Sequence, residues 1–119
     1  MMYLPDAVEA LSALAHDTRL SVFRLLVRAG RDGLPAGQIA DEVGVRPNTL
    51  STHLTILERA GLLNSSREGR SIIYAAEYGQ MRELLGYLVE DCCAGREEIC
   101  APLAELAGRC CRRGGGPGS

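Results

Sequence analysis

Residues 46–61 read Arg46-Pro47-Asn48-Thr49-Leu50-Ser51-Thr52-His53-Leu54-Thr55-Ile56-Leu57-Glu58-Arg59-Ala60-Gly61. Proline near the start and glycine after the end punctuate a helix. Proline lacks the N–H that the first turn would leave unpaired, and glycine tolerates the left-handed exit. At about 100° per residue, Leu50, Leu54 and Leu57 form one narrow apolar stripe. The opposite face carries Asn48, Ser51, Thr52, Thr55 and Arg59, with Thr49 and His53 on its flanks. Small amide and hydroxyl side chains can exchange hydrogen bonds with base edges and phosphates in a major groove. No long acid stands in the first two turns to repel phosphates. An ordinary amphipathic helix with a solvated face has the same pattern, so the neighbouring residues must decide.

Upstream, residues 36–43 form a second short helix, with Pro35 in its first turn and Gly44 at its end. Gly44-Val45-Arg46 joins the two helices, which is the helix-turn-helix arrangement. Downstream the hydrophobic period changes. Residues 62–67 and 71–75 flank Glu68-Gly69-Arg70 and predict a β-hairpin with Arg67 and Arg70 beside its turn. Guanidinium groups placed there can clamp phosphates or enter a minor groove. A helix-turn-helix followed by an arginine-tipped hairpin predicts a winged helix whose partner is double-stranded DNA. The charge distribution agrees. Residues 46–75 hold four arginines and two acids, whereas residues 76–100 hold six acids and two arginines.

Further out, residues 7–14 are apolar on more than one side, and a partner subunit is one place to bury the second side. Asp17 is a good N-cap for a following helix built on Leu20, Phe23, Leu26 and Val27 and stopped by Gly30. Arg31-Asp32-Gly33 reads as a turn. The helical period returns over residues 80–93, with Met81, Leu84, Leu85, Leu88 and Val89 on one face. The expected fold is mainly α with a small β-hairpin: a winged helix-turn-helix in the order α-α-α-α-β-β-α. Residues 1–93 are expected to be the DNA-binding and dimerisation domain. Residues 94–119 are expected to be a thiol-rich sensing segment, with a helical turn over 102–106 and a flexible glycine-rich tail from 114.

A chain of 119 residues, 46% of them hydrophobic, fits one small domain with a modest core. No apolar run is long enough to span a membrane. Met1-Met2-Tyr3-Leu4-Pro5-Asp6 lacks the regions of a secretory signal, which predicts a cytoplasmic protein whose thiols stay reduced. All five cysteines, Cys92, Cys93, Cys100, Cys110 and Cys111, follow residue 91. Their odd number argues against a closed disulfide framework. There is no C-x-x-C, no phosphate loop and no Cys/His pair at a helix start, and neither histidine has an evident catalytic partner, so no enzyme is expected.

The chain resembles the arsenic-repressor (ArsR/SmtB) family of bacterial metal-sensing repressors. The resemblance rests on Leu14-Ala15-His16-Asp17-Thr18-Arg19-Leu20, on the run from Leu50 through Ser51, His53, Leu54 and Leu57 to Ala60-Gly61-Leu62-Leu63, and on Arg67-Glu68-Gly69-Arg70. These match the family's second helix, recognition helix and wing, in order, over about residues 6–93. The resemblance implies a homodimeric repressor that pairs through its first and last helices and needs no cofactor to bind its operator. The founding arsenic repressors carry C-x-C in the helix before the turn, where this chain reads Gly37-Gln38-Ile39-Ala40-Asp41-Glu42-Val43. An evident His/Asp zinc set on the last helix is also missing. A variant group of the family binds trivalent arsenic through a Cys-Cys pair and a third Cys at the end of the dimer helix. Cys92, Cys93 and Cys100 match that arrangement.

Arsenite, and antimonite with it, is soft and three-coordinate, so three thiolates satisfy it, whereas zinc prefers four ligands. Neighbouring cysteines diverge by about 100° on a continuous helix. Cys92 and Cys93 would converge most easily where the helix ends, and Gly95 permits that. Cys110 and Cys111 form a second vicinal pair, a candidate second site. Two other inputs remain open on the residues alone: zinc or cadmium held by three or four of these thiols, and reversible thiol oxidation.

Overall fold

The computed structural model describes residues 2–89. Its elements are α1 (Leu4–Leu14), α2 (Asp17–Ala29), β1 (Leu34–Pro35), α3 (Ala36–Val43), α4 (Pro47–Arg59), β2 (Leu63–Glu68), β3 (Ser71–Ala76) and α5 (Tyr78–Leu88). The chain divides into two compact units, residues 1–84 and 85–119, so the second is described only over residues 85–89.

The core of the first unit is where the helical stripes meet. Val22, Phe23 and Leu26 of α2, Ile39 of α3 and Leu50, Leu54 and Leu57 of α4 are all buried. Leu62, Leu63, Ala75 and Ala76 close it at the base of the hairpin, and it contains no buried polar or charged residue among those described. Burying such side chains supplies about 1.5–3 kcal/mol each, which makes this stripe the main source of stability. In α1 the alanines face inward. Ala7, Ala10 and Ala13 are buried, whereas Leu4, Val8 and Leu11 are exposed. Small residues let α1 lie close to its neighbours while its large apolar side chains point outward.

The sheet order is β1-β3-β2, antiparallel throughout. β2 and β3 form the expected hairpin, in register from Leu63 opposite Ala76 to Glu68 opposite Ser71. Burial falls along it, from buried residues at the base to exposed ones at the tip, so the hairpin projects as a wing. Its connection is the two residues Gly69-Arg70. Gly69 has φ +64° and no non-glycine residue among those described has positive φ, the sign pattern of a type II′ turn.

Four details depart from the sequence reading. α1 begins at Leu4, three residues early, because Pro5 suits a first turn and the Asp6 carboxylate accepts from the Tyr3 N–H at 3.3 Å. The N-cap of α2 is His16, not Asp17: its Nδ1 accepts from the Thr18 N–H at 3.1 Å, and Asp17 falls in the first turn. Pro35 is not inside α3. It caps that helix in extended conformation and pairs with Ile73, while Leu34 pairs with Tyr74. The observed order is therefore α-α-β-α-α-β-β-α. A two-residue strand carries no periodicity to read, and the close approach of Gly33 to Tyr74 creates it: a Cβ on Gly33 would lie 2.3 Å from the Tyr74 carbonyl oxygen. Finally, α5 begins at Tyr78, whose hydroxyl donates to the Val27 carbonyl at 3.1 Å. The far end of the expected 80–93 helix, the 102–106 turn and the tail from 114 lie outside the described residues.

Candidate nucleic-acid interface

α3 and α4 meet at a tight turn. Gly44 adopts φ 74°, ψ 37°, and the N–H groups of Gly44 and Val45 both reach the Ala40 carbonyl, at 2.9 and 3.1 Å. The left-handed glycine ends α3 abruptly and leaves only Val45 and Arg46 before Pro47 opens α4. With Leu50, Leu54 and Leu57 buried, Asn48, Thr49, Ser51, Thr52, Thr55 and Arg59 are exposed, as their spacing requires.

These side chains differ in freedom. The Asn48 Oδ1 accepts from the Thr49 N–H at 3.0 Å. The Thr55 hydroxyl donates back to the Ser51 carbonyl at 3.0 Å, which leaves it an acceptor toward solvent. His53 is half-buried and turns toward α2: the Arg19 guanidinium donates to its Nδ1 at 3.4 Å, and its ring lies 4.6 Å from that of His16. Burial first, and then the charges of His16 and Arg19, hold the His53 pKa below its ordinary value.

Arg67 and Arg70 are exposed on the wing, and neither has an ion-pair partner among the described residues. An open cavity of about 360 Å³ runs between Ser51 and Leu54 of α4, Ala36 and Gly37 at the start of α3, and Arg70, Ser71 and Ile72 of the wing. Arg70 thus stands on the same rim as Ser51. The wing is also braced against α4 where the Ser65 hydroxyl donates to Glu58 at 2.8 Å. Burial and the nearby Glu58 charge raise the pKa of Tyr74 on β3. Sequence reasoning missed the bracing roles of Glu58 and Ser65, since a single acid and a single serine carry no pattern.

The five cysteines lie outside the described residues. Among the described residues no group of three or more His, Cys, Asp or Glu could hold a metal ion. Among the same residues no helix is long and apolar enough to cross a membrane.

Residues 14–66 match the family described as helix-turn-helix domain. The HTH-type transcriptional regulator Rv0081 of Mycobacterium tuberculosis is 34% identical over 77 residues, which cover 65% of this chain and 66% of that protein, just under two thirds. The structure of HlyU from Vibrio cholerae is 30% identical, has a TM-score of 0.58, and aligns over 71% of this chain and 91% of that one. The homodimeric winged helix-turn-helix DNA-binding domain of a possible ArsR-family regulator from Mycobacterium bovis is 27% identical, with a TM-score of 0.61 over 75% of this chain and 82% of that one. The chain belongs to the ArsR family. These relatives are transcriptional regulators and not enzymes. For this ArsR-family chain the matched helix-turn-helix coincides with α2, α3 and α4 and runs into β2, so the family assignment and the exposed polar face concern the same residues.

Proposed function

We propose that this ArsR-family chain is a homodimeric repressor that binds operator DNA through α4 and the wing. It releases the operator when trivalent arsenic, and antimony with it, binds the thiolates of Cys92, Cys93 and Cys100. One observation supports the DNA reading: Ser51, on the exposed polar face of α4, and the unpaired Arg70 of the wing line the same open cavity. Asn48, Thr49, Ser51 and Thr52 would read base edges. Arg59, Arg67 and Arg70 would hold phosphates, with Thr55 as an acceptor between the two groups. His53, turned inward, would set the helix more than touch DNA. The exposed stripe Leu4, Val8 and Leu11 on α1, and Leu85 and Leu88 of α5, supply apolar surface for a second copy.

The inducer reading rests on the thiol set itself and on the cysteine-free α3. Three thiolates suit the pyramidal geometry of a trivalent metalloid. Cys110 and Cys111 offer a second, dispensable pair. Cys92 and Cys93 stand at the end of the expected dimer helix, so on this reading release runs through the dimer. A dimer must dock two half-sites about 34–36 Å apart, so a small change in spacing between its halves weakens binding, and a coupling of about 1–3 kcal/mol suffices. Zinc or cadmium binding and thiol oxidation are the competing inputs.

The test is operator binding by the full chain, titrated separately with arsenite, antimonite, zinc and peroxide. Arsenite and antimonite should release DNA. Each of Cys92→Ser, Cys93→Ser and Cys100→Ser should bind DNA normally and ignore arsenite, while the double change at Cys110 and Cys111 keeps most of the response. Release by zinc or peroxide alone would move the assignment to the competing inputs.

A further inference from the structure

The apolar stripe of α4 fixes how deep that helix sits, but apolar packing has no direction and leaves rotation about the stripe weakly specified. Hydrogen bonds are directional and can set that rotation. On the flank of α4 nearest α2, the bonds converge on one residue. The Arg19 Nε donates to the Ala13 carbonyl at 2.6 Å. Ala13 lies in the last turn of α1, where carbonyls lack helical partners and a cation meets the negative end of the helix. The same guanidinium places Nη1 3.4 Å from His53 Nδ1 on α4. A guanidinium can only donate, so His53 Nδ1 is the acceptor and the ring carries its proton on Nε2. The His16 ring packs at 4.6 Å against the His53 ring, while its own Nδ1 is occupied by the Thr18 N–H. One planar cation therefore joins the end of α1, the start of α2 and the middle of α4.

We propose that Arg19 is a positioning residue of the DNA-reading surface, fixing the rotation of α4 relative to α1 through His53. The proposal rests on the DNA-binding reading above. His53 is flanked by Thr52 and Leu54, so releasing its ring lets the Ser51–Thr52 face turn without removing any DNA contact. It also links the recognition helix to α1, whose exposed apolar stripe is the surface offered to a second copy. Arginine is required because its fork reaches two acceptors at fixed angles, whereas lysine presents a single point charge.

The experiment uses the full chain and a duplex that the wild-type chain retrieves from a random-sequence pool. Arg19→Gln and Arg19→Lys should each weaken binding about tenfold. The slope of log affinity against log salt should stay at the wild-type value, since no phosphate contact is lost. The loss should disappear when His53 is already alanine. In the free chain, ring NMR should show His53 titrating at higher pH in Arg19→Gln than in wild type, because a neighbouring positive charge has been removed. If Arg19→Gln does not fold, the affinity, salt slope and cycle are read on Arg19→Lys. A slope that falls by about one unit in Arg19→Gln and is restored in Arg19→Lys would make Arg19 a phosphate contact and overturn the proposal. Losses that multiply with that of His53→Ala, or an unchanged His53 titration, would overturn it as well. If the wild-type chain retrieves no duplex, the DNA-binding reading itself falls and takes the proposal with it. A retrieved duplex whose binding ignores both variants removes the positioning role alone.

Discussion

Gly33 and Gly69 both have positive φ, and the two show how differently one residue type can be constrained. At Gly33 a Cβ would sit 2.3 Å from the Tyr74 carbonyl oxygen, whereas at Gly69 nothing lies within 4 Å. Gly69→Ala should cost only the left-handed penalty, about 1–2 kcal/mol. Gly33→Ala adds a backbone clash that only strand movement relieves, so it should cost about 3 kcal/mol or more and loosen β1 from β3. Urea unfolding of the two variants checks the order; equal losses would mean that β1 gives way at little cost. His53 supplies a pH effect at the same scale. Its folded pKa lies below the ordinary 6.5, through burial first and then His16 and Arg19. The unfolded chain therefore takes up a proton at a pH where the folded chain still refuses it. This contribution to stability is complete above about 6.5 and is lost as pH falls through the lowered value. The urea midpoint should drop from neutral pH toward about 5, and His53→Asn should flatten part of that slope.

Two elements make up the proposed DNA interface. α4 is held by Leu50, Leu54 and Leu57, each almost fully buried. Leu54→Ala should destabilise by about 2–5 kcal/mol, through lost transfer energy and the cavity left behind. It would weaken DNA binding only in proportion to unfolding. The wing is the reverse case. Arg67 and Arg70 are exposed, and their side chains make no hydrogen bond or ion pair among the described residues. Arg67→Ala and Arg70→Ala should leave the melting temperature within about a degree or two, yet each should lower the salt slope of DNA binding by about one unit. Unchanged salt dependence in both would remove the wing from the interface. Changes at Asn48, Ser51 or Thr52 should alter which sequences are preferred and leave that slope alone.

At the scale of the whole molecule, the outward stripe of α1 is the feature a lone protomer leaves unexplained. Leu4, Val8 and Leu11 are 62%, 52% and 43% exposed, at the spacing of one helix face. The inward face of the same helix is alanine, so a charge at Val8 disturbs little inside the protomer. Val8→Asp should therefore keep a folded chain by circular dichroism and shift it from dimer to monomer in sedimentation. Operator affinity should fall steeply with it, because a monomer reaches one half-site only. A variant that sediments as wild type would place pairing elsewhere.

The four helices up to Gly61 and the hairpin could be read from the chain because each announces itself locally. Pro47 and Gly61 bound α4, its leucines keep one period, and Gly69 fits only a tight turn. The exposed face of α4 followed from the same spacing, since an amphipathic helix that buries one stripe must expose the other. Three things came only from tertiary structure. β1 exists because Gly33 lets the chain approach Tyr74 across a long separation in sequence. His16 displaced Asp17 as the cap of α2 because its ring is also packed on His53. His53 belongs to a junction with Arg19 and Ala13 because three helices converge there. Periodicity assigns a residue to a face of its own helix. Which neighbour that face meets depends on how the helices pack, and packing is a property of the folded chain.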